Sequence, residues 1–159
     1  MPYSCALRHI STGVPLKREP LRVLIAGIPE TNPRMSSIFA QSRVTFLDTM
    51  DRAAEALKQR YDAILIAVRF DESRMFDLLR CLADQGISND TPVICYRSRP
   101  GPVTSTRLAL QAIQLASRSL GAEFFDLESY PDEAAGNAAI RALVENLIRR
   151  SRKRAAPAA

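Results

Sequence analysis

The residues best suited to chemistry in this chain are arginines that follow apolar runs. Arg69 comes just after the run 61–68, and Arg97 and Arg99 just after the run 92–96. Arg34 and Arg107 fall nearby in the expected arrangement. A planar guanidinium matches a phosphate or carboxylate through paired hydrogen bonds, so these positions suggest an anion site, for a nucleotide or cyclic dinucleotide. Asp71, Glu72 and Glu128 are expected along the same edge, and internal pairing with them is the competing reading. Gly27-Ile28-Pro29 is too short for a glycine-rich phosphate loop. The single histidine, His9, lies near the N-terminus, so the body offers neither a histidine triad nor a zinc site. Cys5, Cys81 and Cys95 are odd in number and far apart, which fits neither a disulfide framework nor a metal knuckle. No paired catalytic carboxylates stand out, and there is no tryptophan stacking platform. These residues point to binding rather than catalysis, with no cofactor.

The chain has 159 residues, 47% hydrophobic and 25% charged, enough for one domain with a sizeable core. No apolar run approaches the ~18 residues of a membrane span, and the first 20 residues lack the pattern of a signal peptide. A cytoplasmic protein with reduced thiols is the expectation. The formal charge is +5. Residues 1–20 carry a net +2 and residues 149–159 a net +5, which leaves −2 for the body between them. That placement argues against a dedicated basic nucleic-acid face; the basic tail is the one region where such contact is expected.

These residues need elements to position them. Residues 1–20 have three prolines and no sustained period, and read as a flexible leader. A buried-strand run, 21–27, follows. Then come a short helix with Met35, Ile38 and Phe39 inward, a strand at 44–47, and a helix presenting Ala53, Ala54 and Leu57. The run 61–68 is the most apolar and should be the central strand. Ser73–Gln85 reads as a helix, with Met75, Leu78, Leu79 and Leu82 inward and Gly86 as its stop. A strand at 92–96, a helix at 106–120 and a strand at 123–127 follow. The last helix starts at Asp132-Glu133 and carries Ile140, Leu143, Val144, Leu147 and Ile148. Five strands alternating with five helices imply an α/β fold: a parallel sheet, order 2-1-3-4-5, flavodoxin-like, with helices on both faces. The domain is expected over 21–150, with a flexible basic tail at 151–159.

Three phrases carry a resemblance. Tyr61-Asp62-Ala63-Ile64-Leu65-Ile66, Thr91-Pro92-Val93-Ile94 and Gly121-Ala122-Glu123-Phe124-Phe125 occur in the order and spacing of three stretches in receiver domains of bacterial two-component response regulators. Residues 21–150 resemble that CheY-like family. The resemblance implies a site at the strand ends, and there the chain departs from it. Receivers hold magnesium with two acids after strand one; Gly27 and Ile28 match those positions. Ala67 matches the phosphoacceptor aspartate, Arg97 the Thr or Ser after strand four, and Glu128 the lysine after strand five. An acyl phosphate requires a carboxylate, and magnesium requires oxygen ligands. The resemblance therefore implies a pseudo-receiver without aspartyl-phosphate switching. Asp71-Glu72 is the one acidic pair near enough to substitute, at the expected start of a helix.

A stand-alone pseudo-receiver would act by protein–protein interaction. The resemblance implies a face made of the helix 106–120, the strand 123–127 and the helix 134–150. It would meet another signalling protein or a second copy, with Phe124, Phe125 and Tyr130 as anchors. The competing reading of Phe124 and Phe125 is core packing on opposite sides of the sheet.

Overall fold

The computed structural model describes residues 19–98 and 107–156. Five strands form one parallel sheet: β1 (Arg22–Ala26), β2 (Arg43–Leu47), β3 (Ala63–Ala67), β4 (Val93–Arg97) and β5 (Glu123–Asp126), in the order β2-β1-β3-β4-β5. The order and the all-parallel pairing are those the sequence rhythm implies. β3 has neighbours on both sides and helices on both faces, so all five of its residues are buried. β2 and β5 are edges, and their exposure alternates accordingly.

The described residues hold six α-helices: α1 (Asn32–Ile38), α2 (Ala53–Ala56), α3 (Met75–Asp84), α4 (Ile87–Asp90) and α5 (Arg107–Ser119) between the strands, and α6 (Ala134–Ala155) after the last of them. Right-handed crossovers place α1 on one face and α2, α3 and α5 on the other. α6 joins α1, and Arg141 donates to the Ile38 carbonyl across that pair at 3.5 Å. Met35 and Ile38 of α1, the quartet Met75, Leu78, Leu79 and Leu82 of α3, and Ile140, Val144 and Ile148 of α6 are buried.

Several details correct the sequence reading. α4 is a sixth helix, a single turn. Gly86, in the left-handed region at φ 70, ends α3 and caps α4 at once. α3 begins at Met75 rather than Ser73, because Asp71, Glu72 and Ser73 all have positive φ, 42°, 55° and 74°. The acidic pair therefore lies in a left-handed turn, not on a helix start. α6 runs on to Ala155, so residues 151–155 are helical and belong to the folded unit. Arg152 and Ser151 fasten that extension by binding Asp62 at 2.6 Å and the Asp90 carbonyl at 2.6 Å. Leu143 and Leu147 are only half-buried, and α5 buries fully only Ser117. The leader up to residue 18 lies outside the described residues.

Cys95 sits in the core of β4, and burial pushes its thiol up to about 12 despite a hydrogen bond with Ser117. Unfolded, the thiol ionises near 9, so its contribution to stability is intact below that pH. The contribution is lost as pH rises from about 9 toward 12, at up to ~1.4 kcal/mol per pH unit. Urea unfolding at pH 8 and pH 10 should show a larger loss for the parent chain than for Cys95→Ala. Equal losses would place the titration elsewhere.

Candidate functional site: the C-terminal edge of the sheet

In parallel α/β sheets the crevice at the C-terminal strand ends is the usual place for chemistry. Gly27 follows β1 there, Ala67 ends β3 and Arg97 ends β4. The parallel register sets Ala67 beside Tyr96 and Arg97 beside Asp126. Ala67 is fully buried and Gly27 is buried.

The space above Gly27 is taken by Tyr96. A Cβ on Gly27 would lie 2.6 Å from the Tyr96 hydroxyl. That hydroxyl lies 3.5 Å from Thr31 Oγ1, and the Tyr96 ring stacks on Phe125 at 5.8 Å between centroids. Tyr130 meets Phe125 edge-on at 6.3 Å. Burial pushes the Tyr96 phenol up to about 12, against the smaller effect of its contact with Thr31. A neutral aromatic stack thus occupies this corner of the strand-end crevice. Sequence reasoning did not single out Tyr96, although a tyrosine within an otherwise aliphatic strand, opposite a glycine, was the available signal.

Arg97 forms a two-pronged ion pair with Asp126, with Nε 3.0 Å from Oδ1 and a second bond from Nη2 to Oδ2. Both side chains are more than four-fifths covered. The hydrogen bond that Arg97 donates to Asp126 raises its pKa above the ordinary arginine value, with a smaller push from Glu128, against the cost of desolvation. The acids expected to neutralise it were Asp71, Glu72 and Glu128. The main partner is instead the cross-strand neighbour Asp126, which the register alone identifies. Asp71 turns elsewhere, accepting from the Met50 amide at 2.7 Å and from Arg74 at 3.4 Å. Glu72 and Glu128 are exposed. Arg69 is exposed with no ion pair among the described residues, and Arg99 lies outside them.

Arg34 has a structural task. Its guanidinium donates to the carbonyls of Tyr130 at 2.6 Å, Pro131 at 3.1 Å and Leu127 at 3.3 Å, fastening the β5–α6 loop to α1. Arg107 opens α5.

The charge balance of this edge corrects the expectation of a basic pocket. Among the described residues of this edge, 27–34, 48–52, 68–74, 97–98, 107 and 126–133 hold nine carboxylates against six arginines. The opposite edge holds the reverse. Residues 19–22, 41–43, 57–62, 84–92, 118–123 and 149–156 carry ten cations against five carboxylates. α6 runs antiparallel to the strands, so its arginine-rich end reaches the side of the sheet where β1 and β2 begin with Arg22 and Arg43. A nearly neutral body is therefore a body with two poles.

The three anchor candidates separate. Phe125 is core, stacked on Tyr96. Tyr130 is half-buried and its carbonyl is held by Arg34. Phe124 is half-buried and lines a groove with Leu143, Leu147 and Arg150 of α6. Leu108 and Leu115, seven residues apart on α5, are exposed. The described residues contain no cluster of histidine, cysteine or carboxylates able to hold a metal. No described helix is long and apolar enough to cross a membrane.

The chain is similar to solved receiver domains. One, the receiver domain of an HD domain-containing protein from Pseudomonas fluorescens, superposes with a TM-score of 0.63 at 14% identity, over 90% of this chain and 96% of that one. A second belongs to a sensor histidine kinase from Pseudomonas aeruginosa, with TM-score 0.59 and 19% identity over 81% and 98% of the two chains. That structure carries a magnesium ion in its active-site cleft. A third is a response regulator from Thermotoga maritima, with TM-score 0.60 and 13% identity over 81% and 98%. No family model and no curated protein matches the sequence. The fold is the CheY-like receiver fold.

Proposed function

We propose that the chain is a non-catalytic signalling module of the cytoplasm, a pseudo-receiver that works by protein–protein contact without aspartyl phosphorylation. The observation that carries this reading is the site itself. Ala67 stands at the end of the central strand, Gly27 and Ile28 follow β1, and the Tyr96 hydroxyl fills the space over Gly27. No carboxylate stands at any of these positions to accept a phosphoryl group or hold magnesium. The Arg97–Asp126 pair weighs against the alternative of an anion sensor at this edge, because the bidentate face of Arg97 is already engaged.

The surface left for action is the one formed by α5, β5 and α6. Leu108 and Leu115 supply exposed apolar side chains, and Phe124, Leu143 and Leu147 line the adjoining α6 groove. Apolar centres with charged rims suit docking of a second signalling protein or a second copy.

Two experiments test the reading. Incubation with acetyl phosphate and magnesium should leave the intact mass unchanged; a stable adduct, at Asp71 above all, would defeat it. Light scattering after size exclusion should show self-association, or a co-purifying partner, that is lost in Leu115→Glu and Leu143→Glu while the fold survives. A strict monomer without any partner would remove the interaction claim.

A further inference from the structure

The basic pole contains a cleft of about 690 Å³, at the edge of the sheet opposite the crevice described above. That size falls within the range of small-molecule sites and exceeds what a lone phosphate fills. Its walls come from the start of β1, the 57–62 loop ahead of β3, the α3–α4 turn and the end of α6.

Four cations line it, and two of them are already neutralised. Arg152 is bound to Asp62, and Lys58 to Glu55. The other two are Arg22 and Arg60. Arg22 donates to the neutral Gln59 carbonyl at 2.7 Å, and its guanidinium carbon lies 5.7 Å from the Tyr61 ring centroid. Neither contact cancels its charge. Arg60 is exposed and has no ion pair among the described residues. Of the acids in the walls, Asp62 is spent on Arg152 and on the Arg22 amide at 2.8 Å; Glu19 and Asp90 are the others. Arg22 and Arg60 are the two guanidiniums of the cleft without an ion pair among the described residues, and together they can grip a phosphate monoester through paired hydrogen bonds, with the carboxylates of Glu19 and Asp90 sharing the lining.

The rest of the lining suits what such a phosphate would be attached to. Leu57 and Ile87 give apolar wall, while Gln85 and Thr91 add neutral hydrogen-bonding groups. We propose that this cleft binds a nucleoside monophosphate, with its phosphate on Arg22 and Arg60 and its planar base against the Leu57–Ile87 wall. The anion site that the sequence suggests at one edge of the sheet is thereby assigned to the other.

Titration calorimetry on the full chain at fixed salt tests this. The probes are AMP, GMP, CMP and UMP, with adenosine, inorganic phosphate and a short DNA duplex for comparison. At least one monophosphate should bind saturably with one site per chain. Binding should weaken by about tenfold or more in Arg60→Glu and stay unchanged in Arg69→Glu, which alters the opposite edge. Circular dichroism melts should show both variants folded, and Arg60 is exposed enough for that. Adenosine alone should not bind. The proposal is overturned if no monophosphate binds up to millimolar concentration, or if Arg60→Glu binds like the parent. Equal affinity for inorganic phosphate would overturn it too. Binding of the duplex alone, falling steeply with salt, would instead make the pole a polyanion face.

Discussion

Gly27→Asp is expected to destabilise the domain strongly rather than restore a magnesium ligand. The first atom added to Gly27 meets the Tyr96 hydroxyl at 2.6 Å. Tyr96 has little room to give way, being fully buried and stacked on Phe125. The substitution combines overpacking with a carboxylate forced into a covered position, a cost of about 3 kcal/mol or more. Small domains have about 5–15 kcal/mol in total, so urea unfolding should register a large shift. A double-mutant cycle identifies the cause. Gly27→Ala should be destabilising in the parent and largely relieved in the Tyr96→Phe background. Tyr96→Phe by itself should cost little, because the bond it removes is a 3.5 Å contact with Thr31. Independent, additive effects would mean that Tyr96 does not fill the space over Gly27.

Gly136→Ala is the second large effect, and its sign is diagnostic. In an open helix the change would stabilise by about 1 kcal/mol, since glycine is a poor helix former. Here a Cβ would lie 2.0 Å from the Pro131 carbonyl oxygen, a backbone atom. That carbonyl is itself held by Arg34, as are its neighbours at Tyr130 and Leu127. Either α6 or the β5–α6 loop must move, and the loop is fastened to α1. The expected result is a loss of about 3 kcal/mol or more. A neutral or stabilising alanine would show that the loop yields freely and that Arg34 does not fix it.

Both effects arise at the edge of the sheet where receivers keep their chemistry. In this chain that edge is filled by Tyr96, closed by the Arg97–Asp126 pair and tied down by Arg34. Arg22 and Arg60, neither of them in an ion pair among the described residues, lie at the far side of the same sheet.

What the sequence determined by itself was the skeleton. The continuous apolar run at 63–68 was expected to be a strand covered on both faces, and β3 within it is the central strand. The rhythm of strands and helices, with right-handed crossovers, left one sheet order to expect. The absence of carboxylates at 27, 28 and 67 was also visible in the letters alone. Tertiary structure decided everything that depends on two distant residues meeting. The register set Asp126, rather than Asp71, Glu72 or Glu128, beside Arg97. The bend of three left-handed residues turned Asp71 toward Met50. Phe124 and Phe125 look equivalent in sequence, and only the stacking on Tyr96 makes Phe125 core. The poles emerged in the same way. A linear count assigns the positive charge to a tail, but the direction of α6 carries that charge to the edge where Arg22, Arg43 and Arg60 already lie. Local pattern fixes which elements form, because periodicity and burial are properties of one segment. Charge pairing and cavity shape are properties of several segments at once, and they exist only after the chain has folded.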